Sequence, residues 1–147
     1  MLSKLAAALG LSKTEEPEVT EVINIYDAVL AHKAWKRRLL EYLEGRSKEN
    51  LEPAKICKDN LCVLGKWIHS GGQVKFGAEP TFVKLVDEHA KFHVHAAKVV
   101  EAHQEGKEDL AMEILTGSFE EQSRRTVNCL AKLNSIVEEH SQKSENR

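Results

Sequence analysis

The sequence predicts an all-α protein, a four-helix bundle with a short extra helix at its N-terminus. Three observations carry this reading. Aromatic residues make up 5% of the 147 residues and prolines number 3, too few strand formers for a β-sandwich and few interruptions for helices. Apolar residues recur at steps of three and four over long stretches. Between those stretches lie short segments with the Gly and Pro chemistry that ends helices. A chain of this size buries roughly two-thirds of the surface it exposes when unfolded, so it needs no disulfide or metal merely to fold.

The elements follow in order. Residues 1–11 carry Leu2, Leu5 and Leu9 at helical spacing and read as the short extra helix. Their apolar run is short for a cleaved signal and follows a single lysine, Lys4. A polar joint leads to Pro17, which suits a first helical turn. The first long helix is expected over 18–44, with Val22, Ile25, Val29, His32, Leu39 and Leu43 on one stripe, so His32 faces inward. After a turn over 45–53, a second helix is expected over 54–70, carrying Ile56, Leu61, Leu64 and Ile68. Gly71, Gly72, Gly77 and Pro80 predict a loop. The third helix, 80–104, has the stripe Phe82, Leu85 or Val86, His89, His93, Ala96 and Val100. Gly106 breaks the chain. The fourth helix, 108–140, carries a heptad-like seam of Leu115, Phe119, Gln122, Thr126, Cys129, Leu133, Ile136 and His140. The expected organisation is a short helix and joint over 1–16, one bundle domain over 17–141, and a disordered polar tail over 142–147.

Charge narrows the function. Lys plus Arg is 21 and Asp plus Glu is 23, a net charge of −2, which gives no basic surplus for displacing phosphate counterions and argues against nucleic acid as partner. No run of 18 apolar residues predicts a spanning helix. The 3 cysteines are odd in number and irregularly spaced, which predicts a reducing, cytoplasmic setting with thiols free for metal or redox chemistry.

The 7 histidines are where the chemistry concentrates. His89 and His93 lie one turn apart on one helix face, a geometry suited to one metal. The intervening Ala90, Lys91 and Phe92 lack the glutamate of a zinc-hydrolase HExxH motif. His32 and Cys62 lie on other expected helices, and three imidazoles with one thiolate complete a tetrahedral zinc set. Cys57 points elsewhere and reads as a half-buried free thiol, with a resolving cysteine as the alternative. Cys129 reads as a small core residue, His69 as a helix-end residue, and His95 and His103 as surface positions.

The surroundings of these four residues form three motifs: His32-Lys33-Ala34-Trp35, Cys62-Val63-Leu64-Gly65-Lys66-Trp67, and His89-Ala90-Lys91-Phe92-His93. As HxxW, CxLGxW and HxxFH, they resemble the chemoreceptor zinc-binding (CZB) family over about residues 23–100. The resemblance implies a four-helix bundle holding one Zn2+ per chain through His32, Cys62, His89 and His93, with Trp35, Gly65, Trp67 and Phe92 packed around the site. It implies a homodimer that senses zinc or an oxidant such as hypochlorous acid through Cys62. It also implies a chemoreceptor or diguanylate cyclase as signalling partner. With no transmembrane, methyl-accepting or cyclase segment in the chain, a stand-alone member acting on a partner in trans is expected. A zinc–thiolate centre has a formal charge of +1 and calls for a nearby carboxylate or carbonyl, for which Asp27, Asp59 and Glu88 are candidates. Two alternatives stand beside this reading. A zinc-dependent enzyme would need an open coordination position that four protein ligands fill. A hemerythrin-like di-iron oxygen carrier would need bridging carboxylates and has no use for a thiolate.

Overall fold

A computed structural model describes residues 22–145. The expected helix over 1–11 and the joint after it lie outside these residues. Among the described residues there is no strand, and the helices pack as an all-α bundle.

Helix α1 spans Ile25–Leu43. It begins at Ile25 rather than at residue 18 because Asn24 caps it: the extended Asn24 accepts the Asp27 N–H through its side chain at 3.1 Å. Val22, expected on the inward stripe, precedes the cap and is 78% exposed. The C-terminus closes at Gly45, whose φ of +73° lets the Arg46 amide reach back to the Glu41 carbonyl at 2.9 Å.

The expected second helix is broken into pieces. Helix α2 spans Pro53–Ile56, α3 spans Val63–Ile68, and residues 57–62 between them are irregular. Lys58-Asp59-Asn60 supplies the turn chemistry, since Asp and Asn offer the backbone side-chain bonds that compete with a helix. The expected loop after residue 70 is partly helical, with α4 spanning Gly71–Phe76. Packing explains this departure from propensity. A Cβ on Gly72 would stand 2.9 Å from the Trp67 ring and 3.0 Å from Phe82, so the glycine admits the two rings, and Phe76 is buried beside them.

Helix α5 spans Pro80–Gln104, as expected, and ends at Gly106 with φ +77° and the Lys107 amide bonded to the Ala102 carbonyl at 2.8 Å. The expected fourth helix divides at Gly117 into α6, Glu108–Thr116, and α7, Ser118–Glu145. Helix α7 therefore runs past residue 141, where a disordered tail was expected. Among the described residues, three long helices and four short ones thus stand where four long helices were expected.

Helices α1, α5 and α7 pack against one another, α2 and α6 lie on α5, and α3 touches α1 and α4. The core has two apolar parts. One gathers Ile25, Ala28, Trp67, Phe82, Leu85 and Leu130, and the other gathers Leu39, Ile56, Phe92, Val100, Leu115 and Phe119. Between them each long helix places buried polar residues: His32 on α1, Glu88, His89 and His93 on α5, Gln122 and Thr126 on α7. Burying such groups is costly unless they are hydrogen-bonded or hold a ligand.

Candidate metal centre

Three parts of the chain converge on one point. His32 comes from the middle of α1, His89 and His93 from successive turns of α5, and Cys62 from the last residue of the irregular segment, where it caps α3. One ligand atom from each of the four lies within 4.8 Å of the others. Cys62 Sγ is 3.3 Å from His89 Nε2 and 3.6 Å from His93 Nε2, and the two Nε2 atoms are 3.0 Å apart. A tetrahedral zinc, with Zn–N of about 2.0–2.1 Å and Zn–S of about 2.3 Å, places its donor atoms about 3.3–3.6 Å apart.

The hydrogen bonds around the rings fix what faces inward. His32 Nδ1 donates to the Ala28 carbonyl at 2.7 Å, and His93 Nδ1 donates to the Ile56 carbonyl at 3.0 Å. A carbonyl only accepts, so in both rings the proton sits on Nδ1 and the neutral ring turns an Nε2 lone pair into the cluster. His32 Nε2 is buried there with no hydrogen-bond partner, and His89, which turns Nε2 to the cluster, buries its Nδ1 without one. Converging lone pairs and a sulfur are a donor set for a cation, and three imidazoles with one thiol fit zinc.

Burial sets the charge states. It holds the His32 imidazole down at about 4, against the opposing bond to Ala28. Burial, helped by His93 and His32, pushes His89 to about 2. Burial also lowers His93, with the Ile56 bond and the Asp59 charge opposing. All three rings are neutral at pH 7, as metal binding requires. Burial pushes the Cys62 thiol up, while the Gly65 N–H, 3.3 Å from the sulfur, works the other way.

The nearby carboxylates separate clearly. Asp27 is exposed in the first turn of α1. Glu88 turns to α7, where Gln122 Nε2 donates to both its side chain and its backbone carbonyl, and the Thr126 hydroxyl reaches the same carbonyl at 3.1 Å. Asp59 is the carboxylate whose charge acts on Cys62 and His93, and it bonds His69 Nε2 at 3.1 Å. Gly65, expected to pack around the site, lies against its own chain: a Cβ there would lie 1.6 Å from the Asp59 carbonyl oxygen.

Phe92 lies against His32 and His93, ring centroids 5.0 and 5.5 Å apart. Trp67 packs on Phe76 and Phe82, and half-buried Trp35 carries the Arg38 guanidinium 3.8 Å over its ring. Cys57 is exposed, more open than the half-buried position expected, and Cys129 is buried. Sequence reasoning missed the Ala28 and Ile56 carbonyls, because a backbone acceptor leaves no residue-type signal. It also missed the Asp59–His69 pair, because residues 54–70 were read as one continuous helix.

Residues 32–100 match the family model of the chemoreceptor zinc-binding domain, a span that opens on His32 and includes all four donors. This span is a CZB domain. No curated protein and no solved structure shows a significant match to the chain. The family match and the donor cluster together assign the CZB domain one Zn2+. Among the described residues no helix is long and apolar enough to cross a membrane.

Proposed function

We propose that this chain is a zinc-holding sensory module in which His32, Cys62, His89 and His93 are the ligands of a single Zn2+ and Cys62 is the sulfur that meets an oxidant. The observation that carries the reading is the convergence of four donors in a layer where the three histidines are at most 3% exposed and Cys62 alone is partly open. Bound zinc supplies one effect, keeping the Cys62 sulfur a thiolate at neutral pH despite its burial. The chain's residues do the rest. His32 and His93 are oriented by the Ala28 and Ile56 carbonyls, and the two apolar clusters exclude water on either side.

With hypochlorous acid the sulfur attacks the chlorine, and water then displaces chloride. The net change is thiolate plus HOCl to sulfenic acid plus chloride. A sulfenic acid is a poor ligand, so Cys62 withdraws, and with it the irregular segment between α2 and α3. The bundle domain over 17–141 then signals in trans, as a cytoplasmic homodimer, to a chemotaxis or cyclic-di-GMP protein. Four protein ligands leave no open position, which favours a sensor over a hydrolase.

Native mass spectra before and after a brief hypochlorous acid pulse test this. One zinc per chain, lost as one oxygen appears on Cys62, is the expected result. Zinc that stays bound after Cys62 is oxidised overturns the redox half, and a purified chain that takes up no zinc overturns the whole.

A further inference from the structure

The three histidine donors are sealed at 2%, 0% and 3% exposure, so the flank of Cys62 is the most open side of the cluster. Asp59 lies on that flank, near enough for its charge to act on Cys62, and His69 pairs with it from the far end of α3. Their side chains are 25% and 47% exposed, and Asp59 Oδ2 lies 3.1 Å from His69 Nε2. A carboxylate oxygen and an imidazole nitrogen are both zinc ligands, and here they stand side by side in contact with solvent.

We propose that Asp59 and His69 form a capture site for zinc, a surface carboxylate–imidazole pair that takes up the hydrated ion and passes it to Cys62 and His93. This rests on the four-ligand zinc reading. Three further observations support it. The pair is held in place: the Asp59 carbonyl is pressed against Gly65, one turn into the helix that Cys62 caps and His69 ends. The Asp59 carboxylate lies close enough for its charge to act on Cys62 and His93, two of the four donors. The destination is prepared, since His32 Nε2 is 2% exposed as a residue and faces the cluster without a partner. Two donors hold zinc weakly and release it to a four-donor site, as a transfer station requires.

The test is stopped-flow loading of the metal-free full chain with Zn2+, and chelator-driven release from the loaded chain. The variants are His69→Gln and Asp59→Asn, with the exposed Glu101→Gln as control. A transfer station speeds both directions equally. His69→Gln is therefore expected to slow loading and release alike, by about tenfold, while the equilibrium affinity and the stoichiometry of one stay as in wild type. Asp59→Asn slows loading at least as much, and Glu101→Gln leaves it unchanged. Wild-type loading rates in both variants overturn the proposal. So does a His69→Gln variant that loads at the wild-type rate but binds more weakly, because that is the mark of a structural prop. Wild-type protein that takes up no zinc is seen in the first trace and fails the four-ligand reading itself.

Discussion

The imidazole of His93 donates its Nδ1–H to the carbonyl oxygen of Ile56, 3.0 Å away. This one bond ties α5 to the short helix α2, and it commits the other ring nitrogen to act as a lone pair. His32 is committed in the same way by Ala28. The three rings are therefore neutral and poised, while Cys62, raised by burial, still carries its proton at pH 7.

One proton per zinc follows from that asymmetry. The histidines have nothing to release, and Cys62 must lose its proton to bind. Affinity should rise about tenfold per pH unit from 7 to 8. Calorimetry in two buffers of different ionisation enthalpy should return a single released proton. A release near zero would mean that the thiol is not a ligand.

Cys62→Ala should weaken zinc binding by more than the roughly 10–100-fold that loss of an outer partner costs a metal site. Oxidant-triggered zinc release should vanish with it. Exposed Cys57→Ala should keep both wild-type affinity and release. Chelator competition, with and without a hypochlorous acid pulse, measures the two properties together.

The metal-free protein should lose stability in acid. Its histidines sit below their ordinary 6.5, with His32 at about 4 and His89 at about 2. Below pH 6.5 the unfolded chain takes up protons that the folded chain refuses. The stability these groups contribute is present above 6.5 and is lost as pH falls through about 4 and on towards 2. Thermal melts of metal-free protein should give a midpoint that falls from pH 7 to pH 5. A flat or rising midpoint would contradict neutral buried rings.

Gly65→Ala should destabilise the fold by about 1–3 kcal/mol and loosen zinc as well. The new Cβ would meet the Asp59 carbonyl oxygen at 1.6 Å, and backbone rather than a flexible side chain has to move. Gly45→Ala makes an informative contrast. Nothing stands within 4 Å of its Cβ, but φ is +73°, so the cost there is conformational and zinc affinity should not change. Urea denaturation and chelator competition separate the two.

Gln122→Leu should cost about 1–3 kcal/mol, because it strips the Glu88 carboxylate and backbone carbonyl of a buried donor. Thr126→Val should cost less, since Gln122 still serves the same carbonyl. Denaturation of the two variants beside wild type gives the order.

Much of this was legible in the residues. The steps of three and four put His32, His89 and His93 on inward stripes, and all three are buried. The seam of Leu115 on α6 and of Phe119, Gln122, Thr126, Cys129 and Leu133 on α7 is buried throughout, and it fades only at Ile136 and His140. Periodicity failed where local chemistry and packing competed with it. Leu61 fits a helical stripe, yet Asp59-Asn60 turn the chain and leave Leu61 51% exposed. Gly71 and Gly72 predict a loop, yet the Trp67 and Phe82 rings accept a helix there because Gly72 has no side chain. The same turn removes Cys62 from a regular helix and sets it at the open edge of the site, a placement that spacing alone cannot convey.

The most direct measurement is the X-ray absorption spectrum at the zinc edge of the loaded full chain. The account predicts a four-coordinate first shell of three nitrogens at about 2.0–2.1 Å and one sulfur at about 2.3 Å, with the sulfur contribution absent in Cys62→Ala. A first shell with no sulfur, or one completed by an extra oxygen in the wild-type protein, would contradict it.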